Sequence, residues 1–477
     1  MSTSLADSFN ERGPIKTIGV VGMGYVGIPA AALFAQSFPM VYGFQRDSIS
    51  SGYKISLLNS GKNPLKGEEP GLDELIHNVV FKKKFECTSD FSKISICDAV
   101  TIAIQTPFVN SKDLIPDFSA LEEGIRQVGK YLTKGTLVVL ESTITPGTTA
   151  IWARKILEEE SKLVAGRDFG LAHAPERVMV GRLLQNIQEH DRIVGGIDEV
   201  STQRAIELYS PVLTLGKVIP MTATAAEVTK TAENTFRDLQ IAAANQLALY
   251  CEAMGINFYD VRAGIDSLKG DGITRAILWP GAGVGGHCLT KDTYHLERGV
   301  KNADKQSIDF PEGVESLYVT ARHINDFMPK HMFHLLKKGL KRAGKGVKGA
   351  KIALLGWSFL ANTDDARNTP AEPFYEMCKD SGLDVLVHDP WVTHWPGIVI
   401  YPEISQVLLN VDAVILFTGH RMYYVLTPQF IRELSGKTDC VIIDGRNVID
   451  PDPFINNGFI YLGIGRGDKN SHPFRTL

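Results

Sequence analysis

The stretch Thr17-Ile18-Gly19-Val20-Val21 runs directly into Gly22-Met23-Gly24-Tyr25-Val26-Gly27 and then into an alanine-rich apolar segment, Ile28 to Gln36. A β-branched strand, a GxGxxG turn and a helix in that order admit few folds. The glycines permit a tight turn, the approach of a pyrophosphate to the backbone and close helix–strand packing, while the helix N-terminus adds partial positive charge. The segment predicts a dinucleotide-binding α/β domain with Gly22, Gly24, Tyr25, Val26 and Gly27 at the cofactor. A second strand is expected over Met40 to Phe44.

Further βα units follow. Ala99 to Ile104 is apolar apart from Thr101 and ends in Gln105-Thr106-Pro107; Thr136 to Leu140 ends in Glu141-Ser142-Thr143. Such runs suit strands buried on both faces of a parallel sheet. Ligands of these sheets sit at the carboxyl ends of the strands, where Thr106 and Thr143 fall; helix capping is the plainer role for either threonine. Phe169 to Ala172 reads as a strand delivering His173-Ala174-Pro175-Glu176-Arg177-Val178 to the same edge, and Arg192 to Gly196 closes the domain.

From Ala225 to Met254 no proline or glycine occurs, and Phe236, Leu239, Ala243, Leu247 and Tyr250 recur at three- and four-residue steps, as in one long helix. Lys230 and Asn234 share a face of it, either as a ligand-directed pair or as an ordinary polar face. After Pro329 a helical stretch is expected to end in a linker between Lys337 and Lys351. A second α/β unit has strands at Lys351 to Gly356, Leu383 to Asp389, Ala413 to Phe417 and Val441 to Asp444, without a second GxGxxG. Arg367 and Arg446 are candidate phosphate ligands, since arginine grips phosphate with two donors; surface ion pairing is the alternative. The expected fold is α/β: two Rossmann-like domains with parallel sheets, joined by a long central helix and a helical middle domain. The boundaries are read as 1–220, 221–330 and 331–477.

One cysteine stands apart. Four glycines precede Cys288 in Pro280-Gly281-Ala282-Gly283-Val284-Gly285-Gly286-His287-Cys288, which strips side chains from its approach. His287 precedes it and Lys291-Asp292 follows, and a nearby cation favours the reactive thiolate. A buried, inert thiol is the usual state of a free cysteine. The six cysteines are scattered without CxxC pairs, so neither a zinc site nor a disulfide framework is indicated. A net charge of −4 and the lack of a basic tract give no sign of nucleic-acid binding. No signal peptide or membrane-spanning run is read, so a cytoplasmic protein without a membrane partner is expected.

Together these residues resemble the UDP-glucose/GDP-mannose dehydrogenase family over nearly the whole chain. The shared elements are Gly22–Gly27, Thr106-Pro107, Ser142-Thr143 before Pro146-Gly147-Thr148, Ala174-Pro175-Glu176-Arg177, Ala226-Glu227 with Lys230 and Asn234, the glycine run ending at Cys288 with Asp292, and Asn362 to Asp365 with Arg367. The resemblance implies an NAD-binding domain, a helical middle domain that dimerises and a UDP-binding domain. It also implies four-electron oxidation of a UDP-sugar C6 alcohol to the uronate with two NAD reduced. By the same resemblance Cys288 forms the thiohemiacetal and thioester, Lys230 stabilises the oxyanion, Asn234 helps place it or a water, Asp292 is the general base, and Glu176 and Thr143 orient substrate and water. Substrate contacts would include Glu176, Arg177, Lys230, Asn234, Gly285, Arg367 and Arg446.

Departures from the family pattern carry information. Val180 replaces a second glutamate found in glucose-type members, so the chain looks like the N-acetylmannosamine-type branch and a 2-acetamido sugar is favoured. Leu360 replaces a lysine usual after Phe359, and the arginine lent by a partner subunit has only Arg275 as a nearby candidate. At the end of the second strand Gln45-Arg46-Asp47 puts an amide where an acid usually accepts ribose hydroxyls. Arg46 could bind a 2′-phosphate, yet Gln45 can bond the ribose and the resemblance favours NAD, so NAD with relaxed selectivity is expected. The alternatives are a UDP-glucose 6-dehydrogenase, a two-electron hydroxyacid-type dehydrogenase with no use for Cys288, and a silent dinucleotide or sugar-nucleotide sensor.

Overall fold

The first glycine turn folds as its sequence requires. Strand β1 (Thr17–Val21) lies parallel to β2 (Met40–Phe44), in register from Thr17↔Met40 to Val21↔Phe44, and the turn leads into the Gly27–Ser37 helix. The computed structural model describes residues 4–49, 51–65, 69–110, 115–178, 181–268, 277–302, 315–437 and 439–470. These divide between two units, Met1–Glu233 with Lys291–Asp309, and Asn234–Thr290 with Phe310–Leu477.

In the first unit β1 and β2 join β3 (Phe85–Thr88), β4 (Ala99–Ile102), β7 (Leu137–Leu140), β8 (Gly170–His173), β9 (Arg192–Gly196) and β10 (Val218–Thr222). A separate ribbon pairs β5 (Phe108–Asn110) with β6 (Ile115–Pro116). The sheet runs β10-β9-β8-β7-β4-β1-β2-β3, so its order reverses between β1 and β4. β4, β7 and β8 are buried on both faces, because helices cover each side. Ala31, Phe34 and Ile76 pack on one side and Leu121, Ile125 and Leu157 on the other. The expectation of a parallel sheet fails at one pair: β8 and β9 are antiparallel, with Ala172↔Gly196 and His173↔Gly195.

The second unit carries six parallel strands in the order β13-β12-β11-β14-β15-β16. They are β11 (Lys351–Leu355), β12 (Asp384–His388), β13 (Ile400–Tyr401), β14 (Ala413–Leu416), β15 (Val441–Asp444) and β16 (Ile460–Gly463). Trp357, Phe374 and Phe417 fill its core. Both sheets thus have the doubly wound order whose reversal point opens a crevice at the carboxyl ends of the strands. The long helix spans Ala223–Met254 unbroken. Another, Leu317–Arg342, passes through Pro329 and on into the stretch read as linker. A proline inside a helix forfeits a hydrogen bond and crowds the preceding turn; here its ring is buried beside Gly283, where a Cβ would come within 3.2 Å of Pro329 Cγ.

Candidate active site

At the end of β1 the glycines are distinguishable by what surrounds them. Gly22 has φ 101°, and a Cβ there would strike the Ala103 carbonyl oxygen at 2.5 Å. A Cβ at Gly27 would drive into the Gly22 carbonyl. Around Gly24, by contrast, nothing lies within 4 Å of an added Cβ. Two glycines make the turn possible and the middle one leaves an open face at a helix N-terminus, which fits the pyrophosphate of a dinucleotide. Gln45 Oε1 accepts the Met23 N–H (3.3 Å), while its Nε2 donates to Ser51 Oγ (2.9 Å) and the Arg46 carbonyl (3.3 Å). Arg46 is exposed.

One side-chain group joins the ends of β4 and β7 to the chain after Thr290. Thr106 is buried and its Oγ1 donates to the Thr143 carbonyl at 2.5 Å, so it caps no helix but ties two strand ends together. Lys291 Nζ lies 3.4 Å from Thr106 Oγ1 and 3.2 Å from Asp292 Oδ1, all three residues buried. The Lys-Asp pair expected to bias a thiol is therefore engaged inside the first unit. Glu227, one turn before Lys230, accepts the N–H groups of Gly147 (2.5 Å) and Thr149 (2.7 Å) and so fastens the Thr143–Thr149 loop to the long helix. Burial raises its carboxyl above the usual range. Lys230 itself is buried.

Glu176 sits in a second buried cluster. Its Oε1 accepts the Arg177 N–H at 2.9 Å and its Oε2 pairs with Arg192 Nη1. Arg192 Nη2 also donates to Glu141 Oε1 and the Ala174 carbonyl, both at 2.9 Å, and its guanidinium lies 4.3 Å above the Tyr209 ring, whose hydroxyl donates to Glu141 at 2.7 Å. The antiparallel turn of β9 makes this possible, since continuing the His173↔Gly195 register sets Arg192 opposite Glu176. Burial raises the Glu141 carboxyl, and the imidazole of His173 is pushed down to about 3 by burial and by Arg192. Arg177 spends its own guanidinium on Glu233 and the Asp191 carbonyl.

Cys288, Asn234, Gly285, Arg367 and Arg446 belong to the second unit. Cys288 is the one cysteine of six that is partly exposed. The other thiols are pushed up by burial, those of Cys87, Cys97 and Cys440 to about 12. Its loop is held at both ends. The Gly281 N–H donates to Asn245 Oδ1 (2.9 Å), and the Leu289 carbonyl accepts from Arg322 Nη1 (3.3 Å). Asn245 and Arg322 are themselves linked through Asn325 and Asp238, with Arg322 Nη1 to Asp238 Oδ1 at 2.5 Å. The glycines serve a different need from the open approach read in the sequence. A Cβ on Gly285 or Gly286 would meet Phe359 at 2.5 and 2.8 Å, and one on Gly283 would meet Pro370 at 2.6 Å. They admit the protein's own C-terminal segment, and Gly286 N–H bonds the Arg367 carbonyl at 2.8 Å.

Arg367 pairs with both oxygens of Asp365, and Arg446 reaches the Gly283 and Phe417 carbonyls, each at 3.3 Å. Lys230 and Asn234 fall one turn apart on their helix, as the sequence requires. Arg275 and Val180 lie outside the described residues. Residues missed in the sequence are Arg192, Glu141, Tyr209, Asn245, Asp238 and Arg322. The available signal was a charged residue opening or interrupting an otherwise apolar β or helical pattern.

A doubly wound sheet with an open glycine cradle at its reversal point, and polar groups gathered at the adjoining strand ends, defines a dinucleotide-dependent enzyme of the Rossmann class. The chain belongs to the UDP-glucose/GDP-mannose dehydrogenase family: it matches the family's NAD binding domain over residues 16–213, its central domain over 224–325 and its UDP binding domain over 353–451. It is a nucleotide-sugar dehydrogenase, an oxidoreductase acting on a CH–OH group with NAD. A relative from Pyrococcus horikoshii named UDP-N-acetyl-D-mannosamine dehydrogenase is 37% identical over 455 residues, 94% of this chain and 99% of its own. The crystal structure of NDP-N-acetyl-D-galactosaminuronic acid dehydrogenase from Methanosarcina mazei Go1 is 66% identical, with TM-score 0.88 over 99% of this chain and 100% of that one. A UDP-glucose dehydrogenase from Pyrobaculum islandicum is 25% identical, with TM-score 0.80 over 94% of this chain and 98% of that one. Among the described residues no helix is long and apolar enough to cross a membrane.

Proposed function

We propose that this chain oxidises the C6 alcohol of a UDP-N-acetylhexosamine to the uronate, with two NAD reduced for each sugar and Cys288 as the covalent nucleophile. The observation that carries this reading is Cys288 itself, a partly exposed residue where the five other cysteines are buried, in a loop braced at both ends. The open face at Gly24 and the cradle around it would hold NAD, which accepts the hydride in each oxidation. Cys288 adds to the C6 aldehyde, so the second oxidation leaves a thioester that water hydrolyses. Lys230 stabilises the oxyanion of the adduct and Asn234 places it or a water. Asp292 serves as general base, and Thr143 and Glu176 orient the water and substrate.

Arg367, Arg446 and Gly285 are assigned to the UDP-sugar, within a division of labour that gives residues 1–220 to NAD, 221–330 to dimer formation and 331–477 to UDP. The names of the Pyrococcus and Methanosarcina relatives support a 2-acetamido sugar over glucose. Six free cysteines suit a reducing compartment, the cytoplasm. The test counts NADH released per sugar across UDP-N-acetylmannosamine, UDP-N-acetylgalactosamine, UDP-N-acetylglucosamine and UDP-glucose. Two NADH are expected with one of the acetamido sugars, and Cys288→Ser should abolish uronate formation while NADH binding, read by fluorescence, persists. Release of a single NADH, or full uronate production by the serine variant, would overturn the mechanism; preference for UDP-glucose would overturn the substrate.

A further inference from the structure

The loop after β7, which carries Thr143, is fastened at every second residue. The Thr143 carbonyl is held by Thr106, and the N–H groups of Gly147 and Thr149 are held by Glu227. Between them, Thr145 Oγ1 is hydrogen-bonded to His295 Nδ1 at 3.1 Å, and both residues are buried. His295 lies in the first turn of the Asp292–Asn302 helix, three residues after Asp292. Four residues further along the same face comes Gly299, where an added Cβ would strike the Pro146 ring at 2.8 Å. The helix that begins with Asp292 is thus seated directly on Thr145 and Pro146.

The same imidazole reaches the segment after β4. The Phe108 ring, two residues after Thr106 on the β5–β6 ribbon, meets it at 4.6 Å between centroids and 63° between planes, and Phe118 stacks on it at 5.9 Å and 11°. Phe108 also meets the Tyr294 ring at 5.9 Å. One side chain therefore joins the chain after Thr106, the loop after Thr143 and the helix of Asp292. Phenylalanine could make the ring contacts and asparagine the hydrogen bond; doing both takes an aromatic ring that contains a nitrogen.

Resting on the roles assigned above to Thr143 and Asp292, we propose that His295 is a positioning residue for the hydrolytic step, holding the loop that orients the water in register with the helix that presents the base. In that step the water oxygen bonds the thioester carbon, the C–S bond breaks and the sulfur leaves as thiolate. One proton of the water passes to Asp292 and the other is released from the new carboxylic acid. Hydrolysis needs the oriented water and the base at once, so it is the step most exposed to a slip between loop and helix.

The test pairs kinetics with thermal melts on the full-length enzyme. His295→Phe and Thr145→Val each strand one partner of the hydrogen bond. Each should lower Tm and cut kcat by about tenfold or more, with KM for either substrate changed less than about threefold. Combined, they replace both partners by apolar groups of similar shape and should regain Tm while kcat stays low. His295→Asn, whose amide stands where Nδ1 does, should lose more Tm but less kcat than His295→Phe. During turnover His295→Phe should build up enzyme carrying the oxidised UDP-sugar on Cys288, read as added intact mass after an acid quench, with two NADH already formed per site. Recovery of kcat together with Tm in the double variant would make His295 structural and overturn the proposal, as would slower formation of the first NADH without accumulated adduct. A wild type that yields a single NADH per sugar would strike the covalent reading itself, and with it the step assigned to His295.

Discussion

Arg192 holds two carboxylates, one carbonyl and an aromatic face at once, at the start of a buried strand. Lysine carries the same charge but only as a point, and cannot span Glu141 and Glu176 in the way a planar guanidinium does. If Glu176 orients substrate or water, loosening it should slow the chemistry more than it weakens binding. Arg192→Lys is expected to lower kcat by about tenfold or more with KM changed less than about threefold. Steady-state kinetics beside a thermal melt check this, and a lower Tm with unaltered kcat would make Arg192 merely structural. Glu176, Thr106 and Thr143 could be found in the sequence because they follow apolar runs. Arg192 opens an apolar run whose direction in the sheet is not visible in the sequence, and only the antiparallel course of β9 places it opposite Glu176.

At the scale of elements, the polar network between the Ala223–Met254 and Leu317–Arg342 helices matters most. Asp238, Arg322, Asn325 and Asn245 are all buried, and they hold both ends of the Cys288 loop. Removing one partner of a buried ion pair strands the other without water, at a cost of about 3–5 kcal/mol. Arg322→Ala should therefore lose stability on that scale in denaturant titration. Arg322→Ala combined with Asp238→Ala should recover part of it; full additivity would show that the two residues are not coupled. Helical periodicity announced the first of these helices, both sheets were legible as apolar runs, and the glycine turn was fully so. Pro329 hid the continuity of the second helix, since its tolerance depends on Gly283, a partner distant in sequence. Polar residues such as Asp238 look like a solvated face until a second helix covers them.

For the whole molecule the open question is the number of chains. Val228, Phe236, Tyr250 and Met254 are exposed on the long helix and, at 3.6 residues per turn, fall on one side of it. An apolar stripe of that length on a surface marks an interaction face. A homodimer is the expected assembly, to be checked by sedimentation at assay concentration. Phe236→Asp should shift the protein toward monomer, and a wild type that sediments as a monomer would contradict the assignment.

The course of the chain between its two units has a consequence for how such a protein can be inherited. The polypeptide leaves the first unit within a helix after Glu233, returns at Lys291, two residues beyond the Cys288-Leu289 pair, and leaves again after Asp309. No single breakpoint in the gene separates the two units into contiguous halves. A recombination that exchanged the C-terminal portion with a homologue would carry Lys291 and Asp292 along with Cys288 or split them from it. An exchange of either unit as a whole would need three joints in the gene, which favours gradual substitution over the shuffling of modules.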